Sequence, residues 1–185
     1  MKQNSADEVM DIIKTIRTVP NFPKEGIMFR DVTTLWKDKD AFAHSIRQFV
    51  ELYSGKGIQK VAGIEARGLV IAGAVAAQIN AGFVPLRKAG KLPAKTIQET
   101  YGLEYKDSET LQVHEDAISP GESVLIMDDL IATGGTAMAA AKLVERLGGN
   151  VHGFAFVIDL PDLGGKKKLE DAGFACFSQM AFDGH

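Results

Sequence analysis

Hydrophobic residues follow two patterns along this chain, short continuous runs and helical stripes, and the two patterns alternate. Continuous apolar runs are typical of strands that are buried on both faces of a parallel sheet. The predicted strands are residues 60–64, 83–86, 124–127, 151–158 and 174–177. Helical segments are predicted at residues 68–79, 134–147 and 163–172. The alternation predicts a single α/β domain with a central, mostly parallel sheet flanked by helices.

Two amphipathic helices are predicted before the alternating region. Ser5 and Glu8 have the spacing of a capping box at the start of the first helix, which Pro20 and Pro23 would end. The second helix has one apolar face and ends at Gly55. The residues of that face are Phe42, Ile46, Phe49, Val50 and Tyr53.

The segment with the clearest chemistry is residues 124–136, Val-Leu-Ile-Met-Asp-Asp-Leu-Ile-Ala-Thr-Gly-Gly-Thr. Its strand ends on Asp128 and Asp129, at the edge of an α/β sheet where ligands bind. The small residues that follow open a helix, whose first backbone N–H groups can hold a phosphate dianion. These residues are Ala132, Thr133, Gly134, Gly135 and Thr136. A Walker-type nucleotide loop is excluded, because no Lys-Ser or Lys-Thr pair follows the glycines.

Two adjacent carboxylates beside a phosphate cradle favour a phosphorylated sugar as the ligand. They would repel a phosphate placed directly on them, but they can accept hydrogen bonds from sugar hydroxyls or order waters around Mg²⁺. The pattern therefore suits a ribose 5-phosphate. The alternative interpretation is a solvated acidic strand end followed by an ordinary glycine turn.

Composition narrows the class of protein. The 185 residues are 45% hydrophobic and 24% charged, as expected for one compact domain. The net charge of −3 does not indicate binding to nucleic acid. Cys176 is the single cysteine, which excludes an intrachain disulfide. The polar amino terminus lacks the apolar core of a secretory signal and no segment is long enough to span a bilayer, so we predict a cytoplasmic protein without a membrane partner.

The alternation lapses between residues 87 and 121, where glycines, prolines and charged residues are frequent. So long a connection is uncommon without a role. We predict a flexible lid over the active site, with short strands near residues 100–105 and 109–114. The alternative is a surface excursion or a β-hairpin used for subunit contact.

The segment of residues 124–136 closely resembles the phosphoribosyl-diphosphate (PRPP) binding signature of the type I phosphoribosyltransferases. Three further segments match in order and spacing, at residues 22–31 (Phe-Pro-Lys-Glu-Gly-Ile-Met-Phe-Arg-Asp), 63–68 (Gly-Ile-Glu-Ala-Arg-Gly) and 84–93 (Val-Pro-Leu-Arg-Lys-Ala-Gly-Lys-Leu-Pro). The resemblance extends from about residue 19 to about residue 161. It implies one domain over residues 1–185, in which residues 1–36 form an N-terminal helix and a hood over the base site, and residues 87–121 form the lid.

The resemblance also implies a reaction, the transfer of the 5-phosphoribosyl group from PRPP to adenine, which gives AMP and diphosphate. A homodimer is expected, with Mg²⁺ as cofactor, held mainly by PRPP and water and not directly by protein groups. Two alternatives stay open, a phosphoribosyltransferase for another nucleobase and a PRPP-binding regulatory protein. The triplet Phe29-Arg30-Asp31 and the pair Arg87-Lys88 favour adenine, and a regulator should show a basic face or an added DNA-binding module, neither of which is evident.

Residue roles follow from the same resemblance. Catalysis is expected to involve Arg67, Asp129 and the lid residues Glu104 and Tyr105. Tyr105 would cover the reacting centre, and Glu104 would handle a proton of the purine. The expected diphosphate-binding residues are Ala66, Arg67, Arg87, Lys88 and Lys91. The expected adenine-binding residues are Met28, Phe29, Arg30 and Leu160.

Overall fold

The computed structural model of the chain describes residues 11–103 and 106–184, which form nine strands and five α-helices. The strands are β1 (Arg17–Pro20), β2 (Met28–Asp31), β3 (Lys60–Ile64), β4 (Gly82–Lys88), β5 (Thr96–Leu103), β6 (Lys106–His114), β7 (Ser123–Ile131), β8 (Asn150–Asp159) and β9 (Cys176–Ala181). The helices are α1 (Thr33–Lys37), α2 (Lys39–Tyr53), α3 (Gly68–Gln78), α4 (Gly135–Arg146) and α5 (Gly165–Asp171). None of these helices is long and apolar enough to cross a membrane.

The central sheet has the strand order β5-β6-β4-β3-β7-β8-β9. Strands β4, β3, β7, β8 and β9 are parallel to one another, and helices make most of the connections between them, as parallel pairing requires. The hairpin of β5 and β6 continues the sheet in antiparallel pairing at Arg87 and Lys88. The mostly parallel α/β architecture is therefore confirmed.

Strand β7 shows why the predicted strands have continuous apolar runs. Leu125 and Met127 pack on the face of the sheet covered by α2 and α3, whereas Val124 and Ile126 pack on the face covered by α4. All four side chains are fully buried. Because successive side chains of a strand point to opposite faces, a strand with helices on both faces needs an apolar residue at every position.

The helix predicted from the stripe of Phe49 and its neighbours is confirmed as α2. The Asp38 carboxylate caps it by accepting hydrogen bonds from the amides of Asp40 and Ala41, both at 3.0 Å. The helix ends at Tyr53, just before Gly55 adopts a positive φ of 72°.

The predicted N-terminal helix is wrong within the described residues, and its capping box at Ser5 and Glu8 lies outside them. Residues Ile12–Thr15 form a single 3-10 turn, and the chain then enters β1. Strand β1 pairs with β2 in an antiparallel hairpin, in which Val19 lies opposite Phe29. So short a helix is marginal on its own, whereas the partner strand satisfies the backbone groups of this segment.

Other boundaries also differ from the predicted ones. Strand β7 runs beyond residue 127, because its ladder with β8 continues to Ile131 although its ladder with β3 ends at Met127. The late helix is divided into a 3-10 turn at Pro161–Leu163 and α5. The last strand occupies Cys176–Ala181, and in the region of residues 87–121 the strands are longer than predicted and form one hairpin.

Asp31 fastens the hairpin of β1 and β2 to the rest of the fold. Its carboxylate accepts hydrogen bonds from the Arg17 Nε at 3.1 Å, from the Thr33 amide at 2.9 Å and from the Thr33 hydroxyl at 2.7 Å. Burial alone would raise the pKa of Asp31, but these hydrogen bonds outweigh it and lower the pKa from 3.8 to about 2. The ionised form therefore stabilises the fold above the pKa of the unfolded chain, and this stabilisation is lost as the pH falls toward about 2.

Replacement of Asp31 by Asn should lower the free energy of unfolding by roughly 1–2 kcal/mol at neutral pH, a value reduced for the solvent around Arg17. Urea denaturation at several pH values measures the effect. The difference from wild type should shrink as the pH falls from about 5 to about 2, because the wild-type carboxylate becomes protonated. Asp116→Asn, at an exposed turn position, is the matched control and should show no difference. A deficit that does not change with pH would contradict the role of ionised Asp31.

Candidate active site

A cavity of about 160 Å³ lies at the carboxyl ends of β3 and β7, and we call it the loop pocket. Its lining contains every residue for which the sequence predicted contact with a sugar phosphate. These are Asp128, Asp129, Ala132, Thr133, Gly134, Gly135 and Thr136. Arg67 joins them from the turn that follows β3. The pocket therefore combines two carboxylates, a guanidinium and the start of a helix.

The backbone between β7 and α4 has the shape that an anion site at a helix terminus requires. Gly134 is the N-cap of α4 and has a φ of 77°, a conformation that favours glycine. Helical hydrogen bonding begins with the Met138 amide, which donates to the Gly134 carbonyl at 3.0 Å. The amides of the first turn, before Met138, have no hydrogen-bond acceptor within the helix. A ligand can therefore accept hydrogen bonds from them.

The two aspartates lie side by side at the pocket, Asp129 buried and Asp128 partly exposed. Asp129 is 3% exposed, and its Oδ2 lies 2.7 Å from the Nε of Arg67. The contact is a close ion pair without hydrogen-bond alignment, and among the residues that the structure describes this oxygen has no hydrogen-bond partner. Asp128 accepts a hydrogen bond from the Asp129 amide at 2.8 Å.

The electrostatics of this pair differ from those of solvated carboxylates. Burial, and then the adjacent Asp129 charge, raise the pKa of Asp128 well above its usual range. Burial also raises the pKa of Asp129, although the Arg67 charge opposes the rise. Shifts of this kind in a cleft are typical of functional sites. They argue against the solvated acidic strand end that the sequence left open.

Gly68 allows helix α3 to pack directly on the strand end that carries Asp128. A Cβ atom at Gly68 would lie 2.8 Å from Asp128 Oδ1 and 2.8 Å from the carbonyl oxygen of Met127. Both distances are shorter than a carbon atom tolerates. The absence of a side chain at Gly68 therefore helps to set the position of the carboxylate pair.

A second cavity of about 270 Å³ adjoins the loop pocket, and we call it the hood pocket. Its lining includes all four residues for which the sequence predicted contact with a base, Met28, Phe29, Arg30 and Leu160. The hairpin of β1 and β2 supplies three of them, and Leu160 follows β8. The lining is mostly apolar, as expected for a pocket that holds a flat ring.

Other protein groups bind the guanidinium of Arg30. It donates hydrogen bonds to the Thr18 hydroxyl and, at 3.2 Å, to the Asp183 carbonyl. Its guanidinium also lies 4.7 Å from the centre of the Phe182 ring. Arg30 also belongs to the lining of the hood pocket. That backbone groups near Arg30 recognise the edge of the base stays a prediction.

Arg67 lines both pockets, as do Leu130 and Ala132. Its Nε contacts Asp129, and its guanidinium carbon lies 5.0 Å from the centre of the Phe29 ring. The edge of the Phe22 ring packs against the same phenyl group at 5.1 Å. A cation over an aromatic face is attracted by the ring quadrupole. One side chain thus contacts both the acidic pair and the hood.

Two of the other predicted cations, Arg87 and Lys88, have carboxylate partners. Arg87 Nε lies 3.0 Å from Glu65 Oε2, and the same oxygen accepts the Lys88 amide at 2.8 Å. Lys88 Nζ lies 2.7 Å from Glu109. Lys91 and Ala66 are exposed. Burial would raise the pKa of Glu65, but the Arg87 and Lys88 hydrogen bonds outweigh it and lower that pKa.

Glu65 and Glu109 were not predicted as partners of these cations, and the structure pairs Glu65 with Arg87. The signal was present in the predicted sheet, because β3 and β4 are parallel neighbours and the Glu65 amide donates to the Leu86 carbonyl at 2.9 Å. Residues just beyond two such strands meet at the same edge.

The hairpin of β5 and β6 lies along α4 and reaches the loop pocket. Glu99 forms ion pairs with Lys142 at 3.0 Å and with Arg146 at 3.4 Å. Near the other end of β5, the Gly102 carbonyl oxygen lies 3.3 Å from the place where a Cβ of Gly135 would stand. The predicted catalytic residues Glu104 and Tyr105 lie outside the described residues.

Tyr101 is a further residue of this hairpin that the sequence analysis did not single out. Its ring lies beside Gly135, and its phenol interacts with the side chain of Thr136. Burial raises the pKa of Tyr101, although the Thr136 contact opposes the rise. The end of the predicted lid therefore touches the start of α4.

Replacement of Asp128 by Asn should raise the melting temperature at neutral pH. Where the pKa of a carboxyl is higher in the folded protein than in the unfolded chain, the free energy of unfolding falls as the pH rises from the lower pKa to the higher one. The amide does not ionise, and its oxygen can still accept the Asp129 amide. We expect a gain of a few degrees, at roughly 2–4 °C per kcal/mol for a domain of this size.

Thermal denaturation at pH values of about 4 and about 8 measures this effect, and the gain should vanish at the lower value. Asp116→Asn, at an exposed turn position, should show no gain at either pH. A variant at Asp128 that is less stable than wild type at both pH values would refute the raised pKa.

Comparisons with known proteins agree with this geometry. Residues 36–178 match the family model described as the phosphoribosyl transferase domain. An adenine phosphoribosyltransferase of Ruegeria pomeroyi is 55% identical over 169 residues, which are 91% of this chain and 94% of that protein. The structure of the Rhodothermus marinus adenine phosphoribosyltransferase has a TM-score of 0.87 and 46% identity, and the match covers 92% of this chain and 96% of that one.

The enzyme of the same name from Saccharomyces cerevisiae, solved with adenine and an imino-altritol bisphosphate, has a TM-score of 0.84 and 36% identity over 91% of this chain and 96% of that one. Family model, relatives and solved structures therefore agree over nearly the whole chain. The chain belongs to the adenine phosphoribosyltransferases.

Proposed function

We infer that this protein transfers the 5-phosphoribosyl group of PRPP to adenine, giving AMP and diphosphate. The observation that carries this inference is the pair of adjoining pockets at the carboxyl edge of the sheet, one polar with a helix start and one apolar, with Arg67 lining both. A nucleotide likewise has a polar part, the phosphorylated sugar, joined to a flat and largely apolar base. The bond that forms between them would lie beside Arg67 and Asp129.

We propose that the 5-phosphate binds at the loop pocket. The amides of Gly134, Gly135 and Thr136, with the hydroxyls of Thr133 and Thr136 and the backbone of Ala132, would surround its oxygens. Asp128 and Asp129 would accept hydrogen bonds from the ribose hydroxyls. Such a bond would supply the hydrogen-bond partner that Asp129 Oδ2 lacks among the described residues.

We propose that adenine binds in the hood pocket. Met28 and Phe29 would contact one face of the ring, and Leu160 the other. The backbone near Arg30 would recognise the polar edge, because the Arg30 side chain is engaged by Thr18 and Asp183. A few directed hydrogen bonds within an apolar pocket fix the orientation of such a ligand.

Arg67 is the best-placed group for the departing diphosphate. Asp129 contacts its Nε, and the terminal guanidinium nitrogens would bind the diphosphate oxygens. Transfer from PRPP builds negative charge on the leaving group, and a fixed cation in a partly buried site stabilises that charge. The neighbouring Ala66 would leave room for the diphosphate, with Arg87, Lys88 and Lys91 as an outer group of cations.

The proposed lid consists of the hairpin within residues 87–121. Its contact with Gly135 and Thr136 supports a role at the phosphate site. Closure over the substrates would exclude water and bring Tyr105 to the reacting centre, with Glu104 near the purine.

We propose that Mg²⁺ enters with PRPP. Among residues 11–103 and 106–184, no group of three or more His, Cys, Asp or Glu side chains could hold a metal ion. The donors at the loop pocket are two carboxylates, one of which already faces Arg67, and this set suits water-mediated contact with a cation that keeps several waters. When bound, Mg²⁺ neutralises charge on the diphosphate oxygens.

The homodimer and the cytoplasmic location stay predictions. The mass in solution, measured by light scattering during size-exclusion chromatography, would be twice the 19.9 kDa of one chain for the dimer.

Incubation with PRPP, Mg²⁺ and one nucleobase at a time tests the function. Adenine should be converted efficiently to AMP, whereas hypoxanthine, guanine, xanthine and orotate should not react at comparable rates. The double variant Asp128→Asn with Asp129→Asn is the control, and it should be inactive while its circular dichroism stays that of a folded protein. Efficient reaction with another base would replace adenine as the substrate, and no reaction with any base would favour a PRPP-binding regulator.

Replacement of Arg67 by Ala should raise the KM for PRPP by about tenfold or more, because the variant loses the cation that faces the diphosphate. The KM for adenine should rise less, since Phe29 and Leu160 remain. Arg47→Ala, on the exposed face of α2, is the control and should match wild type. Equal changes in both KM values would count against a role of Arg67 at the diphosphate.

A further inference from the structure

The loop between β7 and α4 is packed against a second backbone segment, the turn that starts α5. The Gly165 amide donates a hydrogen bond to the Ala132 carbonyl at 2.9 Å. A Cβ atom at Gly165 would lie 2.2 Å from that oxygen and 2.7 Å from the Gly134 nitrogen. In the other direction, a Cβ at Gly134 would lie 3.0 Å from the Gly165 carbonyl oxygen. The two segments are in backbone-to-backbone contact.

The physical consequence is that no side chain fits at position 165. The atoms in the way belong to the backbone of the loop, so they cannot rotate aside as a flexible side chain would. Gly165 is buried, and it is not part of the lining of the loop pocket. Gly164 differs, since it adopts a positive φ of 70° and has open space around its missing Cβ. Gly164 serves the turn itself, whereas Gly165 serves the contact with the loop.

Ala132 and Gly134 belong to the segment whose amides would bind the 5-phosphate. A displacement of the Ala132 carbonyl by a side chain at position 165 would move these amides relative to α4. Hydrogen bonds to a phosphate depend steeply on distance and angle. A shift of about 1 Å in such a group is enough to lower binding or rate strongly.

We propose that Gly165 is a positioning residue for PRPP: it seats the loop of residues 132–136 in the geometry that binds the 5-phosphate, through Ala132 and Gly134. This inference rests on the proposed function. Gly165 does not touch the substrate, and the hood pocket does not include it. Ala132 lines both pockets, whereas Gly134 lines the loop pocket alone. The larger effect is therefore expected on ligands that carry the 5-phosphate.

The test compares the steady-state kinetics of wild type and Gly165→Ala. The KM for PRPP should rise between about tenfold and a hundredfold, because the loop amides are displaced. The KM for adenine should rise by a smaller factor, since the hood pocket includes Ala132 but neither Gly134 nor Gly165, and kcat at saturating PRPP should stay within about twofold of wild type. Gly73→Ala is the matched control, because Gly73 lies within α3 with open space at its Cβ position. It should leave all three constants unchanged.

A second measurement uses the wild-type protein and decides the question if Gly165→Ala does not fold. In amide NMR spectra, ribose 5-phosphate should shift the Gly165 resonance at the same concentrations that shift Gly134 and Gly135. Adenine alone should shift the Gly165 resonance less than ribose 5-phosphate does. The hydrogen bond to Ala132 links the Gly165 amide to the loop, whereas a purely structural glycine would not respond.

The outcomes separate this inference from the function on which it rests. Wild-type protein that makes no AMP from adenine and PRPP would overturn the proposed function. An active wild type with an unchanged KM for PRPP in Gly165→Ala would overturn the role of Gly165 alone. Equal losses for PRPP and adenine, or a Gly165 amide that ignores ribose 5-phosphate, would also overturn that role, since they indicate a general contribution to the fold.

Discussion

The ion pair between Arg67 and Asp129 is the interaction on which the site depends. Two adjacent carboxylates at a buried strand end repel each other and are poorly solvated, and the guanidinium at 2.7 Å offsets part of that cost. The same guanidinium lies over Phe29, so it also contacts the hood. Removal of one member of a buried pair leaves the other unpaired, which is more damaging than the loss of the contact alone. Arg67 therefore combines charge balance, pocket shape and the proposed chemistry.

Close approach of backbone segments gives the site its geometry. Gly68 brings α3 against the strand end at Asp128, and Gly165 brings the turn before α5 against Ala132. In both places a methyl group would collide with backbone atoms, so these contacts need glycine. Backbone contacts have less freedom than contacts between long side chains, and a site assembled from amide groups requires that rigidity.

The strand, loop and helix at the centre of the site could be predicted from the sequence, whereas the two hairpins beside it could not. Strand β7, the loop after it and helix α4 are consecutive in the chain, so their pattern of apolar residues, acids and glycines is visible at once. The hairpin of β1 and β2 was missed because a strand of four residues carries too little periodicity to be distinguished from the end of a helix. The long hairpin of β5 and β6 was only partly foreseen, and its contact with α4 through Glu99 was not.

The sequence by itself determined the order of the parallel strands and of the helices between them, the small residues 132–136 at the start of a helix and the acidic pair before them. These properties depend on neighbours along the chain, and the amino-acid order states them directly. Only the tertiary structure decided that Glu65 pairs with Arg87, that Arg67 lines both pockets and that Gly165 touches Ala132. The physical reason is that such contacts join residues from separate elements, and their partners are set by how the sheet and helices pack, not by adjacency in the chain.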